Sequence, residues 1–243
     1  MGIIKLSATD STNLYLKNLM SENSLEDFTI VVADTQTLGR GQMGTTWESE
    51  PCKNLTFSVL KKMKTARIKN LFSLNICVSM AVFNTLGKLG IPDLKVKWPN
   101  DILSGHSKIC GILIENILSG NQLLSSVIGI GLNVNQEKFI GLSNVSSLKL
   151  LMGKTFDLEE LLFLFQDELK GSFLKMENKG SVFMRDEYEN VLFRKDKPST
   201  FKDAGGKMFM GFIKGVSDQG RLMVTLEDNA QKEFDMKEIS LLY

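Results

Sequence analysis

Hydrophobic and polar positions divide the chain into three regimes. Up to about residue 60 the apolar residues come in short runs. Helical spacing then appears on either side of a central group of strands, and beyond residue 200 only short runs remain. Residues 3–6 (IIKL) read as a strand, and Leu14, Leu16, Leu19 and Met20 mark a helix opened by Ser11-Thr12-Asn13, with Asp10 or Ser11 as its cap. Buried strands are predicted at 28–33 (FTIVVA) and 54–60. From 68 to 89, Leu71, Leu74, Val78, Val82 and Leu86 recur at helical steps, and Gly87, Gly90 and Pro92 end the helix.

The alternating run 94–98 predicts a half-buried strand that stops at Pro99, which has no amide proton for a ladder. Ile102-Leu103, the turn Ser104-Gly105 and the apolar run 109–114 then predict a hairpin, and 123–134 a further strand. Asp157-Leu158-Glu159-Glu160 opens a helix running to about Met176, which Gly180 separates from a second helical stretch at 182–193. Residues 200–243 hold short strands broken by Gly205-Gly206, Gly215 and Asp218-Gln219-Gly220, the pattern of a small all-β module. The change of character near Lys195 divides the chain into domains 1–194 and 195–243.

Composition narrows the function classes. With 43% hydrophobic residues, 23% charged and a net charge of +1, the chain has no electrostatic case for nucleic acid or an anionic membrane. No apolar run reaches membrane-span length, and the first ten residues lack the layout of a signal peptide. Cys52, Cys77 and Cys110 are widely spaced and read as buried thiols in a reducing cytoplasm. His106, the single histidine, falls at the predicted hairpin tip and reads as a solvated turn residue.

Four stretches carry candidate chemistry. Ser11-Thr12-Asn13 can cap a helix or present donors to a small polar ligand. The segment DTQTLGRGQMGTTW (34–47) spaces Gly39, Gly41 and Gly44 around Arg40. Glycines so placed allow positive φ and close backbone approach to an anion. A strand follows it and the Lys-Ser/Thr ending is absent, so it is neither a P-loop nor a dinucleotide-binding turn. Lys108 stands at the mouth of an apolar strand, where it either snorkels into water or meets an anion. Gly129 and Gly131 imply close approach by a ligand or another backbone, and Asn133 ends that strand with both a donor and an acceptor.

Together, GRGQMGTTW (39–47), NLTFS (54–58), KWPND (97–101), SKICGILIEN (107–116) and GIGLNVN (129–135) resemble the biotin protein ligases over nearly the whole chain. The resemblance implies an α+β architecture: a mixed-sheet catalytic domain with helices on one face, then a small SH3-like β-barrel. It implies activation of biotin with ATP to biotinyl-5′-AMP, aided by Mg²⁺, and transfer to a lysine of a biotin carboxyl carrier protein of a carboxylase. Ser11, Thr12, Gln36, Gly39, Arg40 and Lys108 would touch biotin. Gly41, Gln42, Trp47, Asn100, Asp101 and Asn133 would serve the adenylate, with Trp47 on adenine and Asp101 on Mg²⁺; Asn13, Gly111 and Gly131 would line the same site. Lys108, Arg40 and Asp101 would carry catalysis, while a large aromatic such as Trp47 or Trp98 also fits a plain core role. The best-known members have arginines where this chain has Gln42 and Thr45. With no room before Ser11 for a helix-turn-helix, the resemblance implies a cytoplasmic monomer or homodimer without a DNA role. It also assigns the first half-reaction to residues before 136 and leaves the β module to carrier transfer. A lipoate–protein ligase or octanoyltransferase of the same fold is the alternative, and a non-catalytic carrier-binding protein a more distant one.

Overall fold

The computed structural model describes residues 2–63, 71–120 and 122–243. In chain order the elements are β1 (Ile3–Leu6), α1 (Thr12–Glu22), β2 (Ile30–Ala33), β3 (Leu55–Lys62), α2 (Phe72–Lys88), β4 (Leu94–Lys97), β5 (Asp101–Ser104), β6 (Ser107–Ser119) and β7 (Gln122–Leu132). They continue with α3 (Leu148–Met152), α4 (Leu158–Asn190), β8 (Pro198–Asp203), β9 (Met208–Val216), β10 (Leu222–Leu226), β11 (Gln231–Phe234) and β12 (Ile239–Leu242). The elements follow the hydrophobic pattern closely, and the start expected for the second helix, 68–70, lies outside the described residues. As expected, α4 is interrupted at Gly180 (φ 83, ψ 167). Its start is capped by Asp157, whose Oδ1 accepts from the amides of Glu159 and Glu160 at 2.8 and 2.9 Å.

The described residues form two compact units, one up to residue 63 with 107–166 and the other 71–106 with 167–243. In the first, strands lie in the order β1-β2-β3-β7-β6; β1 and β2 are parallel and the rest antiparallel. Because side chains alternate along a strand, Phe57, Ile112, Ile128 and Ile130 fall on one face and are buried there. Phe165 of α4 meets Phe57 on that face, with ring centroids 5.9 Å apart. The other face takes Leu16 of α1, which joins Val31, Leu60 and Val127 in a buried cluster. Helices therefore cover both faces, not one, since both sets of alternating positions contain apolar residues to bury.

The second unit combines the β4–β5 hairpin with the antiparallel five-stranded sheet β11-β10-β9-β8-β12. The boundary expected near residue 194 falls within a strap. Leu192 bridges Val96 beside β4, and Lys195 bridges Ile213 of β9. The second helical stretch accordingly stops at Asn190, and 191–193 pair with β4: Val96 donates to Val191 O at 3.0 Å and Phe193 to Val96 O at 2.8 Å. The turn before β10 is clamped as well. Trp98 Nε1 donates to Gly220 O at 2.9 Å, and Arg185 pairs with Asp218. Glu189 Oε1 accepts the amide of Val216 at 2.9 Å, joining the end of α4 to β9. Trp98 is thus a structural anchor, and residues 97–98 of the KWPND segment contact the β module that the sequence set apart for carrier transfer.

Gly220 has φ 83, and a Cβ there would stand 2.3 Å from Phe72 Cγ. Gly220→Ala should therefore cost about 1–3 kcal/mol from the backbone strain alone, with the clash added. Urea unfolding would measure it, and an unchanged midpoint would show that the turn is not clamped.

Candidate functional site

The site is built on a bare strip of the first unit's sheet. Gly111 of β6 and Gly131 of β7 are directly opposed partners, and Thr56 pairs with Gly131 from the other side. The Trp47 indole fills the space that two side chains would take. A Cβ on Gly131 would stand 2.4 Å from Trp47 Cε2, and one on Gly111 would stand 3.1 Å from Trp47 Cζ3. Gly129, two residues away, makes room for Asn13, whose Oδ1 would lie 2.5 Å from its Cβ. The close approach expected at these glycines is real, and side chains of this chain make it. Trp47 is half-buried, yet its Nε1 is fully enclosed and has no hydrogen-bond acceptor among the described residues. Such an N–H typically costs about 1–3 kcal/mol until an acceptor reaches it.

Trp47 is delivered by a small hairpin. Its amide donates to Gly39 O at 2.9 Å, and the amide of Gly41 donates to Thr45 O at 2.7 Å. A single 3-10 turn at Gln42–Gly44 closes the loop, with Met43 at φ 56 and Gly44 at φ 81. Only Gly44 uses positive φ. Gly39 and Gly41 are needed because a Cβ would meet Trp47 O at 2.3 Å or Thr45 Oγ1 at 2.4 Å. The Thr45 hydroxyl donates to Gln42 O at 2.8 Å. Arg40, bridged to Thr46, is exposed and makes no ion pair among the described residues.

Lys108 enters from the mouth of β6. Its amide donates to Asn144 O at 2.7 Å and its carbonyl accepts from Ser146 at 3.0 Å, so the backbone is held on both counts. The ammonium lies 5.7 Å from the Trp47 ring centroid and 3.4 Å from where a Gly111 Cβ would be. Asn133 is buried, and its Nδ2 donates to Ser146 O at 3.1 Å. That side chain fastens the segment following β7, so its donor is engaged within the fold.

Around the start of α1 the expected cap is replaced. Ser11 occupies the cap position, but its hydroxyl makes no capping bond. Asp10 instead accepts from the Thr37 hydroxyl at 3.0 Å. Gln36 Oε1 takes over and accepts the Thr12 amide at 2.8 Å. Thr12 Oγ1 lies 2.7 Å from Ser58 Oγ, which lies 2.6 Å from Asn13 Oδ1. Asn13 Nδ2 donates to Glu115 Oε2 at 2.8 Å, and Lys17 Nζ to Glu115 Oε1 at 2.6 Å. Lys17 was not singled out from the sequence, and Ser58 and Glu115 only as parts of NLTFS and SKICGILIEN. The sheet's period of two was the available signal, since it puts Ser58 and Glu115 on the face of Gly111, Gly129 and Gly131.

Asn100 and Asp101 belong to the second unit. There Lys97 Nζ lies 3.6 Å from Asp101 Oδ2 and 5.0 Å over the Tyr243 ring. Tyr243 stacks on His106 at 6.2 Å, so the exposed histidine has an aromatic neighbour. Tyr188 is fully buried, and burial, with the negative charges of Glu189 and Asp101, pushes its phenol pKa upward. Of the three cysteines, Cys77 and Cys110 are buried as expected but Cys52 is exposed, in the turn before β3.

Two outcomes follow from this geometry. Gly131→Ala should displace the Trp47 ring while leaving the sheet folded, because the clash is with a movable side chain. Stronger iodide quenching of tryptophan emission at near-normal melting temperature would report it; unchanged quenching would refute the placement. The second concerns Glu115, whose carboxyl burial tends to raise, whereas bonds from Lys17 and Asn13 and the charges of Lys17 and Arg40 outweigh that and hold it below the ordinary range. Its contribution to stability is present above the unfolded value, about 4.3, and is lost as pH falls through the lower folded value. Lys17→Met should therefore be less stable than wild type near neutral pH, with the gap closing in acid. A pH-independent gap in urea titrations would contradict this.

The chain is 34% identical over 132 residues to the bifunctional ligase/repressor BirA of Bacillus subtilis, covering 54% of this chain and 39% of that protein. To BirA of Escherichia coli it is 27% identical over 243 residues, 99% of this chain and 74% of that protein. A solved biotin protein ligase from Aquifex aeolicus, in complex with biotin and ATP, superposes with a TM-score of 0.82 at 28% identity, covering 99% of this chain and 98% of that one. The chain thus spans only 39% of the length of the Bacillus relative. The architecture of mixed sheet, helices and C-terminal five-stranded sheet matches the biotin ligase fold with its SH3-like domain. Residues 6–133, more than half of the sequence, match the Biotin/lipoate A/B protein ligase family, and the chain belongs to that family.

Proposed function

We propose that this chain is an ATP-dependent biotin–protein ligase that forms biotinyl-5′-AMP and passes the biotinyl group to a lysine of a biotin carboxyl carrier protein. The observation that carries the reading is the glycine strip with Lys108 beside Trp47, whose enclosed Nε1 lacks an acceptor. The Aquifex structure of the same fold holds both biotin and ATP, and the two BirA relatives are named as ligases.

In the first step a biotin carboxylate oxygen attacks the α-phosphorus of ATP and pyrophosphate leaves. Both reactants are anions, so their approach needs positive charge that is already in place. Lys108 supplies it from a backbone fixed on both sides, and Arg40 from the arm of the hairpin. Trp47, with one face on Gly111 and Gly131, offers its other face to adenine. Gln42 and Thr45 are neutral, and the Thr45 hydroxyl is engaged within the hairpin, so the grip on the adenylate rests on fewer charges than in arginine-bearing members.

Mg²⁺ would neutralise phosphate charge. Among the described residues no group of three metal-binding side chains exists. Asp101 is a hard oxygen donor suited to Mg²⁺, with Lys97 as its neighbour in the protein alone. Asp101 would therefore hold the ion with phosphate and water oxygens completing the shell. In the second step the carrier's lysine amine attacks the acyl carbon, AMP leaves, and the amine's proton passes to water. AMP is a good leaving group, so no enzyme nucleophile is required, in keeping with the burial of Cys77 and Cys110.

Lys108→Ala should slow biotin-dependent ATP–pyrophosphate exchange by about 10²–10³ at saturating substrates, the usual loss for one preorganised charge donor. Its melting temperature should barely move, because the segment is held through the backbone. Lys108→Arg should rescue little, since a planar guanidinium cannot take the place of a compact ammonium between two oxyanions. Near-normal exchange by folded Lys108→Ala would sink the assignment, and exchange driven by lipoate instead of biotin would move the chain to the other branch of its family.

A further inference from the structure

The hydrogen bonds around Ser58 are one proton short. Gln36 Oε1, Thr12 Oγ1, Ser58 Oγ and Asn13 Oδ1 form a row with successive separations of 3.1, 2.7 and 2.6 Å. Both ends are carbonyl oxygens, which only accept, and the two hydroxyls between them bring two protons to three contacts. The order of protons is set from one end. Glu115 as a carboxylate only accepts, as does the Leu113 carbonyl 3.4 Å away, so Asn13 must turn its Nδ2 toward them, chiefly toward Glu115 at 2.8 Å, and that leaves Oδ1 toward Ser58. Ser58 then donates to Asn13, Thr12 donates to Ser58, and the longest contact, Thr12 Oγ1 to Gln36 Oε1, is left with two acceptors and no proton. Gln36 Oε1 already takes the Thr12 amide, so the open lone pairs belong mainly to the Thr12 hydroxyl.

Building on the biotin reading, we infer that Glu115 is a positioning residue that keeps Thr12 an acceptor, so that the binding site is matched to an N–H of the biotin ureido ring. Lys17 neutralises the carboxylate from its other oxygen, and Gly129 provides the space in which Asn13 reaches both Glu115 and Ser58. With a neutral amide in place of Glu115, Asn13 can reverse, giving up only the long 3.4 Å contact from its Nδ2 to Leu113 O. Its Nδ2 then donates to Ser58, Ser58 to Thr12, and Thr12 to Gln36, and all three contacts hold a proton. The reversed row is self-satisfied, and Thr12 no longer needs a ligand N–H.

The full chain and its Glu115→Gln variant can be compared by calorimetry with biotin and by pyrophosphate exchange. A mispaired polar contact corresponds to roughly ten- to a hundredfold in affinity. Glu115→Gln should raise the biotin Kd and KM by that factor while the KM for ATP and kcat at saturating biotin stay near wild type. Ser58→Ala cuts the row, so adding Glu115→Gln to it should change biotin affinity little further. The wild-type protein gives a test that needs no variant. A cyclic carbamate analogue, with the facing ureido N–H replaced by oxygen, should bind at least tenfold more weakly than biotin. Unchanged biotin affinity in a folded Glu115→Gln, equal losses for biotin and ATP, or additive effects of the two substitutions would each overturn the relay, as would equal binding of each single-site carbamate analogue and biotin. Wild type that binds biotin reads the function separately; wild type that does not would overturn the ligase reading and the relay with it.

Discussion

The direct opposition of Gly111 and Gly131 across two adjacent strands is the constraint on which the site depends. Any side chain at Gly131 would occupy the place of the Trp47 ring. Once the ring lies there, the 39–47 hairpin must fold back on itself, which forces glycine at 39 and 41 because the opposing strand of the hairpin is too near for a Cβ. The same arrangement brings Lys108 alongside the indole and leaves Arg40 exposed on the hairpin arm. A strip without side chains weakens a sheet locally. Here the loss is offset by Ile112, Ile128, Ile130 and Phe57, which bury the reverse face of the same strands.

Charge in the first unit is distributed with similar economy. The net charge is +1, so binding an anion depends on where cations are held, not on an excess of them. Lys17 is committed to Glu115 and Lys61 to Asp27, whereas Arg40 has no ion-pair partner among the described residues. Glu115 serves two purposes: it fixes Asn13 by accepting from its amide, and it lies within the electrostatic reach of Arg40. Polar residues here act through the direction of their hydrogen bonds as well as through their charge, since a buried row of oxygens cannot reorient freely.

In the second unit the β module is tied to the KWPND segment at several points. Trp98 bonds the turn at Gly220, Lys97 is shared between Asp101 and the ring of Tyr243, and residues 191–197 form bridges to both β4 and β9. Asp101 thus sits two contacts away from the last residue of the chain. A division of labour that leaves residues 195–243 only the carrier step does not follow from this geometry, because the same residues support the lysine beside Asp101.

The sequence by itself determined the elements and their order. Apolar periodicity located nearly every strand and helix, Gly180 broke the long helix where expected, and the motifs placed Arg40, Trp47, Asp101 and Lys108 on a recognisable framework. These are local properties, set by spacing of two or 3.6 and by turn chemistry. Only the tertiary structure decided what the glycines were for. Gly39, Gly41, Gly129 and Gly131 look alike in sequence, yet each makes way for a different atom of this chain, all four from residues remote in sequence or on the opposite strand of the hairpin. Likewise Gln36, not Ser11, caps α1; Cys52 is exposed while its fellows are buried; and the residues around 194 form a strap that bridges β4 and β9. The Glu115–Asn13–Ser58–Thr12 row was illegible for the same reason, since its members lie on three separate elements, and the direction of its protons follows from distances that no spacing along the chain encodes.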